Sequence, residues 1–172
     1  MKKFVLAMML FVATLGFAQS TYSTQTFSAD FTGPVTVSSL INDAKTSSRT
    51  SYVAQSNGVF ESVVTVDIIT DGVLAVDYTS SDFYRSNIVI EGETLATTNL
   101  SNGMYDGHPY SYGCYLSTME GVNYIRFTRY IIVNSKRAIF ISMIMVNSPN
   151  SAKTPAGAVQ VWQDFENTLV IK

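Results

Sequence analysis

The chain of 172 residues holds one cysteine, Cys114, and one histidine, His108. A lone thiol closes no intramolecular disulfide, so the fold has to stand on packing. The same scarcity removes the usual zinc sets, which need three or four converging ligands. His108 and Cys114 lie six positions apart, about 20 Å along an extended strand at roughly 3.3 Å per residue, too far to share an ion. Asp106 and His108 are the one tight pair, and only a distant carboxylate such as Glu120 or Asp77 would complete a site. The sequence therefore predicts no metal and no other cofactor.

Charge is also sparse, at 14% of residues with a net value of −2, and it forms no basic run. That excludes the electrostatic footprint of a nucleic-acid binder. Catalytic signatures are missing too. There is no G-x-S-x-G elbow, no phosphate-cradling glycine loop, and no base within reach of Cys114. Asp67, Asp71 and Asp77 offer carboxylates for a glycosidase-like pair, but Asp71 with Gly72 is explained as a turn. The expectation is a protein that is not an enzyme.

What is present begins with the N-terminus. MKKFVLAMMLFVATLGFAQS sets Lys2 and Lys3 before an apolar run of about 14 residues, with Gly16 and Ala18 where a signal peptidase reads. The run is short for a membrane span, which needs about 20 residues. Residues 1–18 are thus expected to be a cleaved signal peptide, 19–26 a flexible lead-in, and 27–172 a single domain. The product would be secreted or periplasmic, with no stable membrane insertion after cleavage. Losing the two lysines would take its net charge to about −4.

The body of the chain is rich in Tyr, Ser, Thr and β-branched residues, a composition that favours strands. Asn57-Gly58 predicts a hairpin inside SYVAQSNGVFESVVTVDIITDG, and Asn134-Ser135-Lys136 predicts another between NYIRFTRYIIV and RAIFISMIMV. The last of these runs is apolar on both faces, which places it centrally in a sheet. Over 73–100 a short helix at 80–89 is expected from a Ser81 or Asp82 cap, although Ile88-Val89-Ile90 argues for strand; TLATTNL would follow as a strand. Ala158, Val161, Trp162, Phe165 and Leu169 fall on one face of a C-terminal helix.

The stretch SNGMYDGHPYSYGCYL concentrates four tyrosines around His108 and Cys114. Asn102-Gly103 and Asp106-Gly107 read as turns, and Pro109 pushes His108 toward an extended conformation. Tyr110, Tyr112 and Cys114 then alternate onto one strand face. Tyrosine suits recognition surfaces because two torsions are cheap to order, and it also simply favours half-buried strand positions. Arg126 and Tyr130 on the neighbouring strand would extend the patch. The candidate ligand-binding residues are therefore His108, Tyr110, Tyr112, Arg126 and Tyr130.

Several segments resemble one known family in order. FSADFTGPV is similar to its F-x-x-x-F-P-x-x-P opening, DGHPYSYGCYL to its G-x-P strand, RFTRYIIVNSKRAIFISMIM to its arginine-bearing hairpin, and WQDFENTLVI to its helix-to-strand close. This is the PsbP-like family, found among photosynthetic extrinsic subunits, in a Ran-binding nuclear protein and in bacterial secreted proteins. The resemblance implies an α+β fold, an antiparallel sheet flanked by helices in an α/β/α sandwich. It also implies a role in binding other proteins, with no catalytic residue to carry over. Together these readings predict a non-enzymatic binding or accessory protein with a protein partner in the envelope or exterior. The alternative is a small-molecule or glycan-binding protein, or a hydrolase, with its site near His108.

Overall fold

The computed structural model describes residues 20–41, 47–68, 94–95, 101–146 and 155–172. Eight strands form one antiparallel sheet. Its path runs from β3 (Thr36–Ile41) through β4 (Ser47–Ser56), β5 (Val59–Ile68), β10 (Arg137–Val146), β9 (Val122–Asn134) and β8 (His108–Met119) to β6 (Thr94–Leu95), and β7 (Ser101–Tyr105) also pairs with β8. A second sheet of three strands joins β1 (Ser20–Ser23), β2 (Phe27–Phe31) and β11 (Val170–Ile171). One helix, α1 (Pro155–Glu166), occurs among the described residues.

Tight turns build most of the large sheet. Asn57-Gly58, Asp106-Gly107 and Glu120-Gly121 each connect consecutive strands with two residues at positive φ, the geometry that matches the twist of a hairpin. The turn expected at Asn134-Ser135-Lys136 also forms. Asn134 Oδ1 accepts the Lys136 N–H at 2.9 Å, and the register shifts by a bulge between Arg137 and Ala138. Asn102-Gly103, in contrast, is no turn. It lies inside β7, where a Cβ on Gly103 would meet the Tyr110 ring at 3.0 Å, so the glycine leaves room for that ring.

The fold class differs from the expected one. Among the described residues helices do not flank the sheet on both faces; the covering layer seen is the three-stranded sheet beside the single helix α1. Two segments explain this. Ser20–Ser23, read as part of a mobile lead-in, pairs with β2 along its full length. Phe27, Ala29 and Phe31 alternate as buried residues of β2 and join the core cluster. The helix expected at 80–89 lies outside the described residues, and of TLATTNL only Thr94–Leu95 is described, as strand.

The main core lies between the layers. Val63, Phe127, Ile131, Ile139, Ile141, Met143 and Met145 from the large sheet meet Phe27, Phe31, Trp162, Phe165 and Leu169 from the covering layer. At roughly 1.5–3 kcal/mol for each large apolar side chain buried, this layer contact is the principal stabilising term. β10 is central as expected, between β5 and β9. The C-terminal helix forms with Ala158, Trp162 and Phe165 buried on its expected face, but it ends at Glu166, and Leu169 is buried just beyond it.

The covering layer stops short of β3. Tyr22 and Phe27 pack on Tyr52 of β4, at 5.6 and 5.0 Å between ring centroids. One strand further out, all six residues of β3 are exposed.

Candidate functional site

The tyrosine-rich stretch becomes the hairpin β7–β8, turned at Asp106-Gly107, with His108 opposite Tyr105 at its mouth. The next turn, Glu120-Gly121, decides which side chains meet. With two residues in that turn, every even position of β8 sits opposite an odd position of β9: Tyr110 against Ile131, Tyr112 against Arg129, Cys114 against Phe127. Opposed residues share a face of the sheet. His108, Tyr110, Tyr112 and Cys114 therefore lie on the core face with Arg129, while Arg126 and Tyr130 point to the opposite face. The expected single patch is divided by the sheet itself.

On the opposite face Arg126 is buried and lies 4.9 Å from the Tyr115 ring centroid. Tyr130 is buried beside Phe140. Both are built into the sheet surface.

The core face holds a constellation centred on Arg129 in place of Arg126. The Arg129 guanidinium faces three rings, at 4.1 Å from Tyr110, 5.2 Å from Tyr105 and 5.9 Å from Tyr112. It also makes an ion pair with Glu166 of α1, and both side chains are largely buried. The one Tyr105 hydroxyl proton is shared between the carbonyls of Glu166 (3.0 Å) and Leu169 (2.8 Å). Tyr112 packs on Trp162 at 6.2 Å, and Trp162 stacks on Phe127 at 5.8 Å.

The cluster is a socket for the helix C-terminus. The last turn of α1 has no basic residue, so nothing on the helix itself answers the partial negative charge of its terminal carbonyls. Arg129 brings a positive charge from the sheet, and the Tyr105 hydroxyl lies against the carbonyl of Glu166 at the helix end and that of Leu169 just beyond it. The tyrosines wall the arginine, and the helix lies over them.

Proton affinities follow from this burial. The Tyr112 hydroxyl is pushed up to about 12, first by burial and then by the charges of Cys114 and Glu166. The Cys114 thiol is raised to about 11 by burial, which makes it a poor nucleophile. The Glu166 carboxyl is raised by burial, against the pull of Arg129. None of these groups is set up as a nucleophile or a base. Glu120 occupies a turn at the far end of β8 from His108, so it does not complete a site with Asp106 and His108. Asp77 lies outside the described residues. Among those residues no three His, Cys, Asp or Glu side chains gather to hold a metal.

Arg129 and Glu166 each had a sequence signal, as the lone charge on an otherwise apolar face: Arg129 among Ile125, Phe127 and Ile131, and Glu166 one helical turn after Trp162. A second buried carboxylate, Glu61 on β5, accepts the Thr32 N–H at 2.8 Å and pins the exit of β2 to the large sheet. Burial raises its pKa, opposed by that hydrogen bond.

The surface bears a different feature. β3 has no charged residue and exposes Val37, Leu40 and Ile41, at 45%, 69% and 58%. It ends the large sheet, so its outer backbone edge has no ladder partner among the described residues.

No family model matches the chain, and no curated protein matches it. A crystal structure of a Pseudomonas aeruginosa protein of unknown function, offered there as a candidate regulator, aligns over 90% of this chain and 97% of its own. Its TM-score is 0.46 at 14% identity, too slight a likeness to build on.

Proposed function

We propose that the chain is an exported, non-enzymatic interaction module, secreted or periplasmic, that engages another protein. The observation that supports this reading most directly is β3, an uncharged edge strand with apolar side chains on both faces and an open backbone edge. Soluble proteins normally blunt such an edge with lysine, proline, a bulge or a covering element. β3 carries no lysine, proline or bulge, and no described element covers its outer edge. Its ladder with β4 is regular from Thr36 opposite Val53 to Ile41 opposite Ser48. The tyrosine stretch supports the same reading by what it is used for, since Tyr105, Tyr110 and Tyr112 seat α1 and do not line an open cleft. The N-terminal Lys2-Lys3 and apolar run support export. No helix among the described residues is long and apolar enough to cross a membrane.

The test is affinity capture from the native envelope and medium, comparing the wild-type chain with Leu40→Lys, which places a charge on the exposed edge. A partner recovered reproducibly by the wild type and lost with the variant is the expected result. Recovery of nothing, or of the same proteins with both, would overturn the reading.

A further inference from the structure

We propose that the free edge of β3 takes up an extended segment of a partner protein as an added strand, with apolar side chains of that segment beside Val37 and Ile41 and a carboxylate directed to Arg49. The inference rests on the interaction reading above and names the chemistry of its partner.

Three observations carry it. The register fixes the two faces of the ledge. Val37 is opposite Tyr52, and Ile41 opposite Ser48, so both project on the side where the covering layer has ended over Tyr52. A strand laid along β3 would continue the sheet and set every second side chain on that uncovered floor, burying apolar surface on both partners. Leu40, 69% exposed, offers a single apolar contact on the other side.

The size of the edge selects the kind of occupant. β3 is six residues long, about 20 Å. One strand beside it buries far less than the roughly 1,200–2,000 Å² of a stable protein–protein interface, so a folded second copy gains too little there. An extended segment does not need that area, because main-chain hydrogen bonds along the edge supply much of its affinity.

Charge selects the composition. β3 itself has none, and among the described residues exposed Arg49 is directly opposite Leu40 on β4. Further along the same end of the sheet lie Lys136 and Arg137, the latter paired with Asp67. Among the described residues this corner carries Arg49, Lys136 and Arg137 against one carboxylate, Asp67. A carboxylate near the residue that passes Leu40 meets Arg49 across a single strand, and a lysine at that place would be repelled.

The experiment uses two labelled peptides, acetyl-TVTITVEE and acetyl-TVTITVKK, with the signal-free chain. Fluorescence anisotropy gives affinity, backbone amide exchange locates the contact, and sedimentation gives the oligomeric state. The glutamate peptide is expected to bind at least about tenfold more tightly than the lysine peptide. Arg49→Glu should reverse that order, Leu40→Lys should weaken the glutamate peptide, and exchange should slow in β3 on binding. Binding of neither peptide overturns the proposal, as does an order that Arg49→Glu leaves unchanged. So does slow β3 exchange in the peptide-free monomer, which would mean the chain covers its own edge, or in a dimer, which would mean a second copy does. A captured partner that protects another surface sinks this inference alone and leaves the interaction reading standing.

Discussion

Glu61 is the residue at which burial and ionisation compete most openly. It is 1% exposed, and one backbone N–H is its hydrogen-bonded compensation. Burial therefore wins and lifts its pKa above the ordinary carboxylate value. The native chain then binds this proton at a pH where the unfolded chain still has an ionised glutamate. Its contribution to stability is present on the acid side, below the unfolded pKa, and is lost as pH rises through the raised folded value. Glu166, also raised, adds in the same direction. Urea unfolding at pH 5, 6.5 and 8 should show stability falling over this range, and Glu61→Gln, which keeps an acceptor for Thr32, should flatten the slope. An unchanged slope in the variant would assign the pH dependence elsewhere.

At the scale of elements, the joint between α1 and the sheet depends on one arginine. Arg129→Met retains most of the apolar stem but leaves Glu166 buried without its partner, a loss of about 3–5 kcal/mol for pairs of this kind. Arg129→Met combined with Glu166→Gln should recover much of that, measured by urea unfolding with Trp162 fluorescence as the reporter of helix docking. Equal losses in the single and double variants would show that the arginine acts through its rings and not through the ion pair.

The legibility of these elements divided along a physical line. Asn57-Gly58 and Asp106-Gly107 were readable because those dipeptides favour the backbone a two-residue hairpin needs. Glu120-Gly121 makes the same turn without that signature, since Glu120 is held at φ 51° by the strands on either side. Without that turn the parity of β8 against β9 reads the wrong way, which sets Arg126 beside Tyr112 where the register sets Arg129. Alternation within each strand was correct; only the alignment between strands was out of reach. The covering layer was misread for a related reason. Four-residue β1 is polar and exposed, so its pairing with β2 is a tertiary outcome with little local pattern to announce it.

For the whole molecule, the closing contact joins the two ends of the described chain. Val170 and Ile171 pair with Ser28 and Phe27, the Lys172 N–H donates to the Thr26 carbonyl, and the Lys172 ammonium reaches the Thr24 carbonyl. Deleting residues 170–172 removes a ladder from β2 and uncovers Phe27. The expected loss is about 2 kcal/mol, of the order of one buried aliphatic side chain, with faster limited proteolysis near residues 20–31. Stability and cleavage equal to the full chain would show that β1 and α1 hold β2 by themselves.

That end-to-end pairing also sets an order of events. β2 lies near the start of the described chain and its β11 neighbour near the end, so the small sheet closes only when residues 170–171 reach Ser28 and Phe27. Contacts this distant in sequence form late because the intervening loop must close first.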